Sequence, residues 1–257
     1  MTLLCWYFRH LARQTWEMID RSRQVPYQLK EETLTDFNML SLMELRSPSI
    51  RIEPFNKYEE GQNGADWEWW FTNGAQWIGF RVQAKVINIK NDNFEHLHYQ
   101  GRASIPQSEK LILQAEFPES NETPRIPIYC LFLNSDQLRH EELKVDKELY
   151  GCSILSAYKV KEMRPDKKNS MDDLQEFIFP WHELVCSRNS LDAFSGLLSK
   201  TRKNLIKSDG NEVSIERYLT ADPPNYVQSV QQGEYFFFER QQGVSLPAGV
   251  AVISLRA

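Results

Sequence analysis

The chain has 257 residues, of which 41% are hydrophobic and 25% charged, close to the average for a soluble globular protein. This length predicts one large domain, or one domain with an appended lobe, and the composition excludes extensive disorder. The formal net charge of −5 counts against a protein that wraps nucleic acid non-specifically, but it is compatible with a local basic groove around an acidic centre.

The first 28 residues (1–28) predict an amphipathic helix that docks on the body of the protein. Apolar residues recur there at helical spacing, and Pro26 ends the helix. The apolar run stops at Arg9, well short of the roughly 20 residues that span a bilayer, and no signal-peptide pattern is visible. We therefore expect a cytoplasmic protein without a membrane segment; a helix lying on a membrane surface is the alternative.

Four cysteines lie far apart in the chain and form no CxxC pair. Their spacing gives no support to a metal cluster, and a disulfide framework is unusual in a chain of this size. We expect reduced and mostly buried thiols at all four positions, Cys5, Cys130, Cys152 and Cys186.

Residues 29–160 predict the core of the fold. A helix begins near Lys30, and three strands follow at residues 49–55, 66–71 and 77–89. A helix at residues 105–117, a buried strand at 126–133 and a further strand at 152–161 complete the pattern. This order predicts an α/β (α+β) fold with a mixed central sheet flanked by helices.

Residues 161–257 predict an extension of short helices and strands. A charged loop at 164–173 precedes helical pieces at 191–203, 213–219 and 226–231, and two strands should flank a turn that contains Gly243 and Pro247. We expect this extension to pack on the core, and the sequence leaves open whether it forms a separate domain.

Polar residues follow the predicted hairpin between Gly64 and Lys85. Because side chains alternate faces along a strand, Asp66, Glu68 and Trp70 share one face, and Gln83 and Lys85 share one face of the next strand. Carboxylate and amide oxygens are ligands that Mg²⁺ accepts, and one or two carboxylates are enough because the ion keeps several waters. A lysine beside them can offset the charge that develops on a reacting phosphate. The set therefore suits metal-dependent phosphodiester hydrolysis.

The series of acidic helix, GxD at a strand start and QxK on the next strand resembles the PD-(D/E)XK restriction-endonuclease-like superfamily, in its Mrr-type and Holliday-junction-resolvase variants. The longer pattern of GADWEWWF, VQAK, Gln107 and PIYCLF is also similar to an uncharacterised bacterial family of nuclease-like proteins. The resemblance covers roughly residues 31–156. It implies a restriction-endonuclease-like core, Mg²⁺ or Mn²⁺ as cofactor, DNA rather than RNA as substrate, a role in genome defence and the possibility of a homodimer.

The resemblance also implies roles for single residues. Asp66 is the central metal ligand, Gln83 is a second ligand through its side chain or a neighbouring main-chain oxygen, and Lys85 is the catalytic lysine. A helix glutamate, Glu32 or Glu31, completes the site, and we favour Glu32 as both a catalytic residue and a metal ligand. Glu68 is an additional carboxylate that the motif does not require, and we expect it to bind the metal as well.

Nucleic-acid contacts are predicted outside the metal site. Trp70 shares the polar face and could stack on a base. Gln107 opens the helix after the Lys85 strand, where it could face the site or cap the helix. The remaining candidates belong to a basic group late in the chain: Lys200, Arg202 and Lys203.

Two rival functions remain open at this point. The first keeps the fold without the chemistry, as an inactive nucleic-acid-binding or assembly module. The second is a non-nucleic-acid interaction protein whose polar hairpin is structural, with Asp66 and Glu68 paired to Lys85. His96 and His98 have the spacing of metal ligands on a strand, but a third ligand is lacking nearby and a loop is the better interpretation.

Overall fold

The computed structural model describes residues 1–54, 66–100, 105–118, 122–139, 145–186, 192–206, 214–234 and 248–255. Within these ranges there are seven α-helices: α1 (Leu3–Gln24), α2 (Glu31–Glu44), α3 (Gln107–Glu116), α4 (Ala157–Met163), α5 (Met171–Leu174), α6 (Ala193–Asn204) and α7 (Asn225–Gln232). The strands are β1 (Ile50–Pro54), β2 (Trp67–Thr72), β3 (Trp77–Val86), β4 (Ile126–Phe132), β5 (Cys152–Ser156), β6 (Phe179–Pro180), β7 (Leu219–Thr220) and β8 (Gly249–Ser254).

The strands form one mixed sheet, and this confirms the predicted fold class. Its order is β1-β8-β2-β3-β4-β5-β6, and β7 pairs separately with β3. β2 and β3 form the predicted antiparallel hairpin. The chain then crosses through α3 to β4, which runs parallel to β3 and places Tyr129 beside Gln83. Residues 152–161 differ from the prediction, since β5 ends at Ser156 and α4 begins at once.

Strand β8 lies inside the sheet, between β1 and β2. It pairs antiparallel with β1 and parallel with β2, bringing Val252 beside Trp70. The division of the chain at residue 160 therefore does not match a boundary in the sheet: that residue lies within α4, and residues beyond it supply a central strand. The turn with Gly243 and Pro247, predicted to join two late strands, lies outside the described residues.

The hairpin separates two apolar clusters on its two faces. Trp67 and Trp69 belong to the larger core, which also contains the buried residues of α1 and α2. Trp70 faces the other way, in a smaller cluster with α7 and β8. Its ring lies across Gly79, where an added Cβ would come within 2.7 Å of ring carbon Cζ2, so glycine is required by this close approach.

A disulfide bond joins Cys5, at the start of α1, to Cys186, after the 3-10 turn Trp181–Leu184. The expectation of four reduced thiols is therefore wrong for this pair and right for Cys130 and Cys152, which are free and buried. The spacing rule failed because the two cysteines are 181 residues apart in sequence and meet only through the packing of α1 against that turn. None of the described helices combines the length and the apolar character needed to cross a membrane.

Candidate active site at the end of the β2–β3 hairpin

Asp66 and Gln83 meet where the hairpin opens. The carboxylate oxygen Oδ2 of Asp66 accepts hydrogen bonds from Gln83 Nε2 and from the main-chain N–H of Ala84, both at 2.7 Å. The Asp66 main chain is held as well, because its N–H donates to the Val82 carbonyl at 2.9 Å. The start of β2 thus fixes the Asp66 carboxylate against β3, as the alternation of side chains predicts.

Gln107 extends this chain of amides. Its Nε2 donates to Gln83 Oε1 at 2.9 Å, while Gln83 Nε2 donates to Asp66. Of the two possibilities for Gln107, the contact with the site is therefore the one observed. Both ends of the Gln83 amide take part in these bonds, and the choice between its side-chain oxygen and a main-chain oxygen as a metal ligand stays a prediction.

Lys85 is 5% exposed, and its ammonium group lies 3.4 Å from Glu31 Oε2. A buried ammonium needs such a partner, because removing an isolated charge from water is costly. Glu31 supplies it from the first turn of α2.

The helix glutamate beside Lys85 is Glu31, not the favoured Glu32. Residues three and four apart share a helix face, so Glu31 lies on the stripe of Leu34 and Asn38, which are fully buried. Glu32 is exposed and shares its face with the exposed residue Asp36. The helical spacing of Glu31 with Leu34 and Asn38 is visible in the sequence and favoured Glu31 over Glu32.

The half-buried Asp66 has a raised pKa. Burial is the main cause and raises it from 3.8 to about 6, and the nearby Glu31 carboxylate adds to the rise. The Ala84 N–H, the Lys85 ammonium and the Gln83 amide act in the opposite direction without cancelling it. A bound cation would stabilise the ionised form of a carboxylate whose pKa is raised in this way.

Tyr129 belongs to the site, although the apolar pattern of its strand predicts only buried core. It pairs with Gln83 across β3 and β4, its side chain is fully buried, and its hydroxyl has no hydrogen-bond partner within the described residues. Burial raises its pKa, and the charges of Asp66 and Glu31 raise it further, so the neutral hydroxyl remains a potential donor at the site.

Glu68 lies on the same face as Asp66 but in a separate buried network. Its carboxylate accepts from the Tyr226 hydroxyl at 2.6 Å and from Trp70 Nε1 at 3.0 Å, and Arg125 Nε lies 3.5 Å away. Burial would raise the pKa of Glu68, but Arg125 and Arg81, with the two hydrogen bonds, outweigh it and lower the pKa. These contacts give Glu68 a structural role, apart from the metal ligand set for which it was predicted.

Trp70 cannot stack on a base as predicted, because it is fully buried. The alternation of β2 placed it on the correct face, but that part of the face is covered by α7 and β8. The covering elements come from residues 225–254, far along the chain, so the hairpin sequence alone could not reveal them.

The basic group on α6 is not brought to Asp66. Lys200 pairs with Glu183 and lies 5.2 Å from the Phe179 ring. Arg202 lies 3.3 Å from Glu216. Lys203 is exposed on the same helix. Their contacts thus connect α6 to neighbouring segments and involve none of the hairpin residues.

The donor set at the hairpin fits a hard divalent cation. Asp66 Oδ1 has no hydrogen-bond partner in the part of the chain that the structure describes, and Glu31, which is paired with Lys85, adds a second carboxylate close enough to act on the pKa of Asp66. Over that same part no group of three or more His, Cys, Asp and Glu side chains could hold a metal ion. Two carboxylates with main-chain oxygens and water suffice for Mg²⁺, which usually keeps several of its waters.

Comparison with known proteins adds the family. No curated protein and no solved structure matches the chain. One family model, described as a family of unknown function (DUF6615), matches residues 4–257. The match covers nearly the whole sequence, and the chain therefore belongs to this family.

Proposed function

We propose that this protein is a nuclease that hydrolyses phosphodiester bonds in DNA with Mg²⁺ or Mn²⁺ as its cofactor. The observation that carries the proposal is the convergence of Asp66, Gln83, Lys85 and Glu31 where the hairpin opens. The order of helix, hairpin, crossing helix and parallel strand supports the resemblance to the PD-(D/E)XK superfamily. Fold alone does not establish activity, so the proposal depends on the site.

Each residue has a task in this proposal. Asp66 and Glu31 hold the cation through their carboxylates, and Gln83 with the Ala84 N–H keeps the Asp66 carboxylate in one orientation. Lys85 places a positive charge where a phosphate oxygen becomes more negative during the reaction. Gln107 keeps the Gln83 amide from rotating. Bound Mg²⁺ would polarise the phosphate and acidify a water molecule.

The tyrosine hydroxyl at the site has a positioning task. Tyr129 is a neutral donor that remains available beside two carboxylates within the described residues. We assign it to hold a carboxylate or a phosphate oxygen by a hydrogen bond. A buried hydroxyl without a partner costs free energy, and a ligand that accepts its proton would recover that cost.

An inactive nucleic-acid-binding module is the second candidate, and one observation favours it. Lys85 is already paired with Glu31, and Gln83 is neutral, so the site has less negative charge for a cation than a motif with a third carboxylate. Such a module would bind DNA through the same surface without cutting it. A homodimer stays a prediction under either proposal.

The experiment is a cleavage assay on plasmid, single-stranded DNA and RNA, with Mg²⁺, with Mn²⁺ and with EDTA. We expect metal-dependent cutting of DNA. Asp66→Ala, Lys85→Ala and Glu31→Gln should each lower the rate by about 100-fold or more. The two carboxylate variants lose a group that holds the cation, and Lys85→Ala loses the positive charge beside the reacting phosphate. The matched control is Glu32→Gln, one residue further along α2 and exposed, which should stay within about twofold of the unchanged protein.

The outcomes separate the candidates. Cleavage that survives both Asp66→Ala and Lys85→Ala means that the activity lies elsewhere or in a contaminant. Salt-sensitive DNA binding without cleavage supports the inactive module. If neither binding nor cleavage occurs, the polar hairpin is structural and the protein interacts with something other than nucleic acid.

A further inference from the structure

A cavity of about 700 Å³, lined mainly by polar residues, opens next to α3. Its walls come from the loop before α3, from the first turn of α3 and from the end of α4 with the loop that follows. We call it the Tyr99 pocket. A volume of this size is typical of sites for small organic ligands and much larger than a phosphate ion needs.

The Tyr99 pocket has more positive than negative side chains, although the whole chain has a net charge of −5. Lys161, Arg164 and Lys167 line it together with two carboxylates, Glu95 and Glu109. Arg164 lies 3.6 Å from Glu109 and donates to Gln100 Oε1 at 2.7 Å. Lys161 and Lys167 have no ion pair among the described residues, so two ammonium groups remain for an anionic ligand.

Aromatic rings line the same pocket. Tyr99 is 54% exposed, and its ring packs edge-on against His96, with 6.3 Å between the ring centres. The exposed part of the Tyr99 side chain is open for stacking. His98 is fixed in the wall through a 2.7 Å contact between its Nε2 and the Lys168 carbonyl. Exposed rings beside free ammonium groups suit a ligand that has both a planar base and a phosphate.

Gln107 joins the Tyr99 pocket to the β2–β3 hairpin with the candidate active site. The Gln107 N–H donates to the Tyr99 carbonyl at 3.0 Å, and the Gln107 side chain donates to Gln83. Gln107 therefore contacts both the wall of the Tyr99 pocket and the Gln83 amide that holds Asp66.

From these contacts we infer that the Tyr99 pocket binds a nucleotide unit, with the phosphate at Lys161 and Lys167 and the base on Tyr99. The unit can be a free nucleotide or one nucleotide of a strand whose backbone continues to Asp66. Binding itself does not require the proposed cleavage, so the two proposals can fail separately.

The test is calorimetric titration of the full chain with deoxyadenosine monophosphate, in EDTA so that nothing is cut. We expect saturable binding. Lys161→Ala with Lys167→Ala should weaken it by about tenfold or more, because hydrogen bonds to charged groups are lost. Tyr99→Ala should weaken it by about tenfold through the loss of stacking, whereas Tyr99→Phe should keep it. Arg21→Ala, which removes an exposed charge on α1, is the matched control.

Titration with inorganic phosphate and with a 5′-phosphorylated oligonucleotide completes the design. An oligonucleotide that binds far more tightly than the mononucleotide identifies a strand as the source, and equal affinity identifies a free nucleotide. The inference is overturned if the mononucleotide and the oligonucleotide both fail to bind, if phosphate alone binds equally well, or if Arg21→Ala weakens binding as much as the lysine pair does. Unchanged nucleotide binding by an inactive Asp66→Ala variant would separate this pocket from the proposed active site.

Discussion

Asp66 holds its proton more tightly in the folded protein than in the unfolded chain. Burial is the main reason, and it raises the pKa from 3.8 to about 6. The folded state therefore binds more protons than the unfolded state between about pH 4 and about pH 6, and the free energy of unfolding falls as the pH rises through that window. At neutral pH the ionised carboxylate destabilises the fold, and a bound cation would offset this effect.

The amide variant Asp66→Asn tests whether the ionised Asp66 carboxylate destabilises the folded state. In EDTA at about pH 7.5 it should raise the thermal midpoint by a few degrees, because the buried charge is gone, and the gain should shrink at about pH 5, where Asp66 is mostly protonated. Glu32→Gln, at an exposed carboxylate, should show no such gain. If Asp66→Asn is destabilising at both pH values, the hydrogen bonds to Oδ2 outweigh the cost of burial.

At the scale of elements, two polar sites with different roles lie along β2 and at its start. Asp66 precedes the strand and faces the candidate active site, while Glu68 lies two residues further on in a network with Arg125 and Tyr226. Tyr226 belongs to α7 and Arg125 directly precedes β4. The network therefore fastens β2 to two elements that are remote in sequence.

Removing one member of that network should be costly. Arg125→Met removes the ion-pair partner of the buried Glu68 carboxylate and leaves only the charge of Arg81 nearby. We expect the free energy of unfolding to fall by about 3–5 kcal/mol in urea titrations. The double variant Arg125→Met with Glu68→Gln should recover part of the loss, because it also removes the buried carboxylate that Arg125 had paired. Equal losses in the single and double variants would contradict this explanation.

Local patterns in the sequence predicted most of the helices and strands and part of the candidate site. Strand alternation depends only on neighbouring residues, so the shared face of Asp66, Gln83 and Lys85 was readable from the hairpin. The role of Tyr129 was not readable, since it depends on the register between β3 and β4. The burial of Trp70 was hidden for a related reason, because α7 and β8 cover it from far along the chain.

At the scale of the whole molecule, the Cys5–Cys186 bond fastens α1 to the segment after the 3-10 turn Trp181–Leu184. A cross-link over a sequence separation of 181 residues restricts the unfolded chain strongly. Buried residues of α1 also hold this helix in place. One of them is Phe8, whose ring centre lies 4.6 Å from that of Trp181. The disulfide therefore adds stability to a contact that packing already forms.

Reduction of the disulfide should lower the free energy of unfolding by about 2–5 kcal/mol. Thermal unfolding with and without a reductant measures this, with the double variant Cys5→Ser and Cys186→Ser as the control. The reductant should lower the thermal midpoint of the unchanged protein and leave that of the double variant unaffected. An unchanged protein that is insensitive to reductant would mean that the two thiols are not joined in solution.

The position of β8 has a consequence for biosynthesis. Trp70 and its neighbour Val252 are 182 residues apart (252 − 70), so a ribosome that adds about 5–20 residues per second makes β8 roughly 10–40 s after β2. During that interval the residues of β2 and β3 are already made, but β2 lacks one of its two partner strands. An open edge is a template for pairing with other chains, so this nascent protein should depend on chaperones more than its size suggests. Its candidate active site becomes part of a complete sheet only late in synthesis.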